Sequence, residues 1–122
     1  MQGVIIMNNP IMYIVINKDL NMSHGKTAAQ AGHAVTEYLI SAFQNNDVNE
    51  LEKIDVWHKD CQKKIVLGAH ENIMHKLASR EGAFAIHDLG YTEIAPNSLT
   101  AICLGIFDKE QAPKEIKRLQ LL

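Results

Sequence analysis

The stretch IMYIVINKDLNMSHGKTAAQAGHA, residues Ile11–Ala34, combines two patterns that together predict the fold class. Its first six residues form an unbroken apolar run rich in β-branched side chains, which is typical of a strand buried on both faces. After a polar loop, apolar or small residues recur at three- and four-residue steps from Gly32 to Phe43, as in an amphipathic helix. A buried strand followed by a helix indicates an α/β fold.

The remainder of the chain continues this alternation. The predicted elements are a helix with Leu51, Ile54, Trp57 and Cys61 along one face, a strand over Ile65–Ala69, a helix over Glu71–Arg80, strands over Ala83–His87 and Thr100–Phe107, and a short helix over Pro113–Leu119. This order predicts an open sheet with helices on both faces, and the second and third strands are expected to be parallel through a right-handed crossover. The last two strands are joined by a loop alone, so they are expected to be antiparallel and the sheet of about four strands mixed.

Length and composition restrict the class of protein. The 122 residues, 47% hydrophobic and 21% charged, fit a single domain over residues 1–122. A net charge of −2 gives no overall basic field, so nucleic-acid binding requires a local patch. The two cysteines, Cys61 and Cys103, have no ligand-like spacing, which favours a reduced, cytoplasmic setting. Gly3–Met7 is either a short strand or a frayed terminus, and the N-terminal pattern predicts neither a signal peptide nor a membrane span.

Motifs of several common enzyme classes are absent from the sequence. The six histidines show no metal-binding spacing on one helix and are not joined by the cysteines, so no metal is expected. The GxSxG, Walker and dinucleotide-binding glycine patterns are missing as well, which argues against common serine hydrolases, nucleotide kinases and dehydrogenases.

Polar residues are predicted to converge at one edge of the sheet. In open α/β sheets, ligands bind beyond the carboxyl ends of the parallel strands. The candidate residues at this edge are Lys18, Asp19, His24, Gly25 and Lys26 after the first strand, Asp88, Tyr91 and Thr92 after the third, and Thr100 at the start of the fourth. The topology therefore predicts one crevice supplied by three segments.

The start of the long helix has two interpretations. Gly25 and Lys26 lie where unpaired backbone N–H groups and the helix dipole favour anions, although a solvated lysine after a turn glycine explains the same pair. Lys26, Gln30, His33 and Glu37 follow at i, i+4, i+7 and i+11, which places them on one stripe. This stripe is either the lining of the crevice or an ordinary solvated helix face, and the spacing does not distinguish the two.

Two sequence blocks resemble the class II peptidyl-tRNA hydrolase family, the archaeal and eukaryotic type. Asp19–Ala34 is similar to the family pattern D-L-x-M-x-x-G-K-x-A-A-Q-x-x-H-A, and Asp88–Thr100 to D-x-G-x-T-Q-I-x-P-G-[ST]-x-T. Further similar segments are Trp57, Gln62–Leu67 and Arg118–Leu122. The resemblance extends from Ile11 to the end of the chain.

This resemblance implies a three-layer α/β/α fold with a small mixed sheet, commonly in a homodimer. It also implies an esterase that hydrolyses peptidyl-tRNA, or N-blocked aminoacyl-tRNA, to free tRNA and peptide without a metal or other cofactor. The residues that resemble the family's catalytic neighbourhood are Lys26, Asp88, Thr92 and Thr100, with Gln30 and His33 near them. The candidates for substrate binding are Gln30 and His33, together with the crevice residues Lys18, His24 and Gly25.

Five positions differ from the family pattern. They are Asn17 for arginine, His24 for lysine, Glu93 for glutamine, Asn97 for glycine and Ile106 for proline. Changes that remove positive charge or add negative charge weaken attraction to a polyanion. The alternative prediction is therefore a non-hydrolytic binding module on the same fold, recognising a small anionic ligand or a protein partner. A third class, a purely structural subunit, predicts that Lys26→Ala and Asp88→Ala change nothing measurable.

Overall fold

The computed structural model describes residues 5–89 and 94–122, and these contain a five-stranded mixed sheet. The elements are β1 Pro10–Asn17, α1 His24–Gln44, α2 Val48–Asp60, β2 Lys64–Ala69, α3 Glu71–Ala78, β3 Phe84–His87, β4 Leu99–Asp108 and β5 Gln120–Leu121, with 3₁₀ turns at Lys18–Leu20, Lys109–Gln111 and Lys114–Ile116. The strand order is β3-β4-β1-β2-β5. β1 pairs in parallel with β2 and antiparallel with β4, which pairs antiparallel with β3. The predicted mixed sheet is confirmed, and β2 and β3 run in the same direction with β4 and β1 between them.

Strand β1 lies at the centre of the molecule and is buried along its whole length. Its odd-numbered side chains from Ile11 to Val15 pack in a core with α3, and its even-numbered side chains from Met12 to Ile16 pack in a second core with α1 and α2. A strand covered on both faces needs apolar side chains at every position, which explains the continuous run in the sequence. The two cores give the α/β/α layering that the resemblance implied.

The end of the chain departs from the prediction. The helix predicted over Pro113–Leu119 is wrong, because only Lys114–Ile116 is helical there, as a 3₁₀ turn. Gln120–Leu121 then forms β5, which pairs antiparallel with β2 at the edge of the sheet. Ile116 is the buried residue of the turn, and Leu119 packs against the same core from beyond it, so these apolar side chains are covered without a full helix. The sheet consequently has five strands where about four are predicted.

Two smaller predictions also differ from the structure, and a third lies partly outside the described residues. Helix α2 ends at Asp60, so Cys61 is exposed beyond it instead of extending its apolar face. Helix α3 ends at Ala78, two residues before the predicted Arg80. Of the segment Gly3–Met7, residues 3 and 4 lie outside the described residues, and residues 5–7 have no regular secondary structure.

Strand β4 contains an irregularity beside β1. The register between the two strands shifts between Tyr13 and Ile14, at a β-bulge next to Gly105. Gly105 has a φ of +92°, a backbone conformation that glycine adopts readily and other residues rarely do. A Cβ at this position would also lie 3.3 Å from Cε1 of the buried Tyr38. Backbone strain and close contact both favour glycine here.

We expect Gly105→Ala to lower the free energy of unfolding by about 1–3 kcal/mol, since the new Cβ is strained by the positive φ and crowds Tyr38. Urea unfolding followed by circular dichroism measures the change. Gly32→Ala is the matched control, because a Cβ in this part of α1 would meet no atom within 4 Å. Helix propensity predicts a gain of about 0.5–1 kcal/mol there. Destabilisation of equal size in both variants would contradict the explanation.

Candidate active site

Helix α1 begins beside the C-terminal end of β1, and its first turns separate two cavities. Ser23 caps the helix, since its hydroxyl oxygen accepts a hydrogen bond from the Lys26 amide at 3.2 Å. Lys26 then faces a cleft of about 480 Å³, which also includes Asp88, whereas His24 faces a cavity of about 580 Å³. We call these the Lys26 cleft and the His24 cavity. The two are separate because residues two apart on a helix point about 200° away from each other.

Lys26 and Asp88 form a buried ion pair in the Lys26 cleft. The Lys26 Nζ lies 2.5 Å from the Asp88 Oδ1, and the two side chains are only 12% and 6% exposed. Asp88 follows β3 directly, and its backbone amide donates to the Ser98 carbonyl at 2.9 Å while its carbonyl accepts from the Asn97 amide at 2.6 Å. The carboxylate is thus held on a fixed backbone. Both charges are partly removed from water, so a substitution that removes either partner is expected to lower the stability of the fold.

Gln30 and Thr100 make a second buried contact one helical turn further along α1. The Thr100 Oγ1 lies 2.5 Å from the Gln30 Oε1 and 3.2 Å from the carbonyl oxygen of Ile86, and its hydroxyl can donate to either. Gln30 is 4% exposed and Thr100 is fully buried, so each needs its polar partner. These bonds join α1 to β4 and β3 and fix the wall of the cleft beside the ion pair.

The predicted stripe on α1 lines the Lys26 cleft along its length. Its members there are Lys26, Gln30, His33 and Glu37. His87, at the end of β3, lines the same cleft. The stripe therefore lines an open cleft, in which His33 and Glu37 remain exposed to solvent. Two predicted members of the crevice, Tyr91 and Thr92, lie outside the described residues.

Lys18 and His24 line the His24 cavity and not the Lys26 cleft. Much of that cavity is apolar, with walls that include Ile16, Met22 and Leu122. Gly25 is exposed in the first turn of α1, and a Cβ there would meet no atom within 4 Å. The structure divides the predicted crevice into two cavities that share the start of α1.

Asn17 is a buried polar residue that the sequence patterns place only at the start of a loop. It is the last residue of β1 and 1% exposed. Its Nδ2 donates one hydrogen bond to the Glu71 Oε2 and a second, of 2.9 Å, to the Leu99 carbonyl. It thus connects β1 with α3 and with the residue before Thr100. Two features of the sequence could have identified Asn17: it directly follows the apolar run, and the family usually has arginine at this position.

Asp19 caps helix α3 across space. Its Oδ2 accepts a hydrogen bond from the Glu71 amide at 2.8 Å, and its Oδ1 lies 2.7 Å from the His70 Nδ1. His70 is the N-cap residue but makes no side-chain capping bond, so Asp19 supplies it. The Glu71 hydrogen bond, followed by that of His70, lowers the pKa of the Asp19 carboxyl. These contacts are those of a helix cap, which explains an aspartate at this place in the first sequence block.

We expect Asp19→Asn to lower stability at neutral pH and to weaken the loss of stability in acid. A carboxylate with a lowered folded pKa contributes stability above its unfolded pKa of about 4, and this contribution is lost as the pH falls through the lower folded pKa. Urea midpoints at pH 7 and at several pH values below 4 should show a gap between wild type and variant that closes in acid. A gap that is independent of pH would refute this.

Cys103 and Tyr38 lie away from the ion pair. Cys103 is buried in the core beneath α1, and burial raises the pKa of its thiol to about 12, so it stays protonated at neutral pH. Desolvation also raises the pKa of the Tyr38 hydroxyl, which donates to the Glu50 Oε1 at 3.2 Å. Within residues 5–89 and 94–122, no three His, Cys, Asp or Glu side chains are grouped as metal ligands would be. In the same residues, no helix is long and apolar enough to cross a membrane.

The mixed α/β/α sheet is the fold implied by the resemblance to class II peptidyl-tRNA hydrolases, and the Lys26–Asp88 pair joins one residue from each of the two sequence blocks. The family model described as "Peptidyl-tRNA hydrolase PTH2" matches residues 11–122, and the chain belongs to this family.

Curated relatives are similar over nearly their full length. A protein of Pyrobaculum aerophilum is 39% identical over 116 residues, which cover 90% of this chain and 95% of the relative. One of Methanocaldococcus jannaschii is 33% identical over 117 residues, covering 91% and 98%, and one of Thermoplasma acidophilum is 33% identical over 118 residues, covering 91% and 97%. All three are named peptidyl-tRNA hydrolase.

Proposed function

We propose that this protein hydrolyses the ester bond of peptidyl-tRNA, or of N-blocked aminoacyl-tRNA, and releases free tRNA and peptide. The observation that carries the proposal is the buried Lys26–Asp88 pair in an open cleft of a chain that belongs to the PTH2 family. The relatives named peptidyl-tRNA hydrolase support it further, because they match the chain over nearly its whole length.

Asp88 acts on the attacking water in this proposal. The water oxygen bonds to the ester carbonyl carbon while its proton passes to the Asp88 carboxylate. The bond between the carbonyl carbon and the ribose oxygen then breaks, and the proton goes to that leaving oxygen. General base catalysis of this kind accelerates a reaction by about 10²–10⁴-fold.

Lys26 supplies the electrostatic part of the mechanism. An ammonium group carries three N–H donors, and the contact with Asp88 engages one of them. Another can donate to the oxygen that becomes negative as water attacks the carbonyl. The Gln30–Thr100 contact holds the cleft wall beside this pair, and His33 contacts substrate further along the helix. Thr92 is proposed as a catalytic residue on its place in the second sequence block alone.

The tRNA backbone is proposed to bind at the His24 cavity. Lys18 and His24 line this cavity, and Gly25 follows His24 in the first turn of α1. With a net charge of −2, attraction to RNA depends on such a local group of donors. Phosphate contacts of this kind predict tRNA binding that weakens as salt is raised.

The assembly, setting and process are part of the same proposal. The family resemblance supports a homodimer and a role in translation. The two cysteines, both free, are consistent with a reducing cytoplasmic environment. Sedimentation of the purified protein tests the dimer directly.

Release of the N-acetylated amino acid from N-acetyl-aminoacyl-tRNA by the purified protein is the experiment that tests the activity. We expect release well above the spontaneous rate. Release at only the background rate at high protein concentration would reject the hydrolase. Tight binding of a small anion without tRNA affinity would favour the alternative binding module.

A further inference from the structure

We propose that the part of the Lys26 cleft beyond the ion pair binds the peptide portion of the substrate, and that Glu37 receives the peptide's N-terminal ammonium group. This inference rests on the proposed hydrolase function. It assigns a role in specificity to a residue that lies outside both sequence blocks.

The cleft extends along α1 from the ion pair to Glu37. Lys26 and Glu37 line it from the same helix, with Glu37 eleven residues later. At 1.5 Å of rise per residue, this separation is about 16 Å along the helix axis. An extended chain spans about 3.3–3.6 Å per residue, so about four to five residues connect an ester at Lys26 with an amino terminus near Glu37.

The charge of the lining favours a cation at the far end. Lys26 and Asp88 compensate each other, and the remaining titratable groups of the cleft are His33, His87 and Glu37. Glu37 is the acidic group among these three. Glu37 is exposed and makes no ion pair with any described residue. A lone carboxylate repels a phosphodiester backbone and attracts an ammonium group.

The uncharged lining also suits a peptide. Ile86 and Leu89 give the cleft an apolar side, and Leu89 is 69% exposed. Apolar side chains of a peptide can cover such a surface. The cation Lys18 lies in the separate His24 cavity, on another face of α1. The cavity with Lys18 therefore suits the anionic tRNA, and the cleft with Glu37 suits the cationic amino terminus of the peptide.

The test uses the intact protein and tRNA esterified with alanine peptides of about two to six residues, each with a free or an N-acetylated amino terminus. kcat/KM is measured at about pH 7, where the free terminus is mostly charged. The variants are Glu37→Gln and Glu37→Lys. Glu110→Gln is the matched control, because it removes the same charge from an exposed position in the 3₁₀ turn after β4.

We expect Glu37→Gln to reduce kcat/KM about two- to fivefold for free peptides of about four to five residues, the effect of one exposed ion pair. N-acetylated peptides and the Glu110→Gln variant should show no such change. With Glu37→Lys the reduction should be larger, and N-succinylated peptides, which end in a carboxylate, should be hydrolysed faster than by wild type.

Equal effects of Glu37→Gln on free and N-acetylated peptides, or no effect on either, would overturn the assignment while wild-type hydrolysis of these esters still supported the proposed function. A failure of wild type to hydrolyse any of the esters would instead reject the function itself, and this inference with it.

Discussion

Asp88→Asn is expected to lower kcat for N-acetyl-aminoacyl-tRNA by about 10²–10⁴-fold, the largest effect of any single change in this protein. The asparagine side chain has nearly the same shape but cannot accept a proton from the attacking water. Asp88 is only 6% exposed, and its backbone is hydrogen-bonded to Ser98 and Asn97. Another base therefore has little room to take over the role of its carboxylate. Single-turnover kinetics with excess enzyme measures the chemical step directly.

Asp55→Asn is the control for this substitution. Asp55 makes the same kind of ion pair with Lys59, but on the surface of α2, where the two side chains are 60% and 74% exposed. We expect this variant to keep its activity within about twofold of wild type, since an exposed pair contributes little. Near wild-type turnover by Asp88→Asn, with a folded protein by circular dichroism, would remove Asp88 from the mechanism.

Lys26→Met is expected to have the second largest effect, with a loss of about 10²–10³-fold in kcat and of about 3 kcal/mol in the free energy of unfolding. Methionine keeps much of the length and apolar stem of lysine, so the change removes mainly the ammonium group. The buried Asp88 carboxylate then loses a partner at 2.5 Å in a site largely shielded from water. Activity and urea unfolding are measured on the same preparations, with Lys59→Met as the surface control.

The double variant Lys26→Met/Asp88→Asn separates a pair that works as one unit from two independent residues. If the pair is one unit, the double variant should lose about as much activity as the worse single variant. It should also be more stable than Lys26→Met alone, because the buried carboxylate that lost its ion pair with Lys26 is no longer charged. Losses of activity that multiply would show that the two residues act separately.

Local sequence patterns predict the centre of this fold well. The run Ile11–Ile16 has a composition that suits burial on both faces, and the repeat along α1 has the helical period. The ends of that repeat, Gly32 and Phe43, are exposed, however, and the buried apolar residues of α1 are Ala34, Tyr38 and Ala42. The antiparallel pairing of β3 with β4 follows from their direct connection by a loop. These features depend on neighbouring residues, which a single sequence displays.

Features that depend on distant residues could not be predicted in the same way. β5 has two residues, too few for any periodic pattern, and it forms only because β2 offers an edge. Asp19 caps a helix that begins more than fifty residues later in the chain, at Glu71. The assignment of His24 and Lys26 to different cavities depends on the orientation of the helix relative to the sheet, which spacing along the helix does not determine.

The capped start of α1 and the Gln30–Thr100 contact together fix how the helix is rotated about its own axis, which is its rotational phase relative to the sheet. Ser23 fixes the first turn and Gln30 fixes the second against the sheet. With this phase held at two points, substitutions on one face of α1 alter one cavity and leave the other in place. A one-residue insertion between Ser23 and Lys26 would rotate the remainder by about 100° and disturb both cavities. The helix can therefore accept many point substitutions during evolution, but few insertions or deletions within its first two turns.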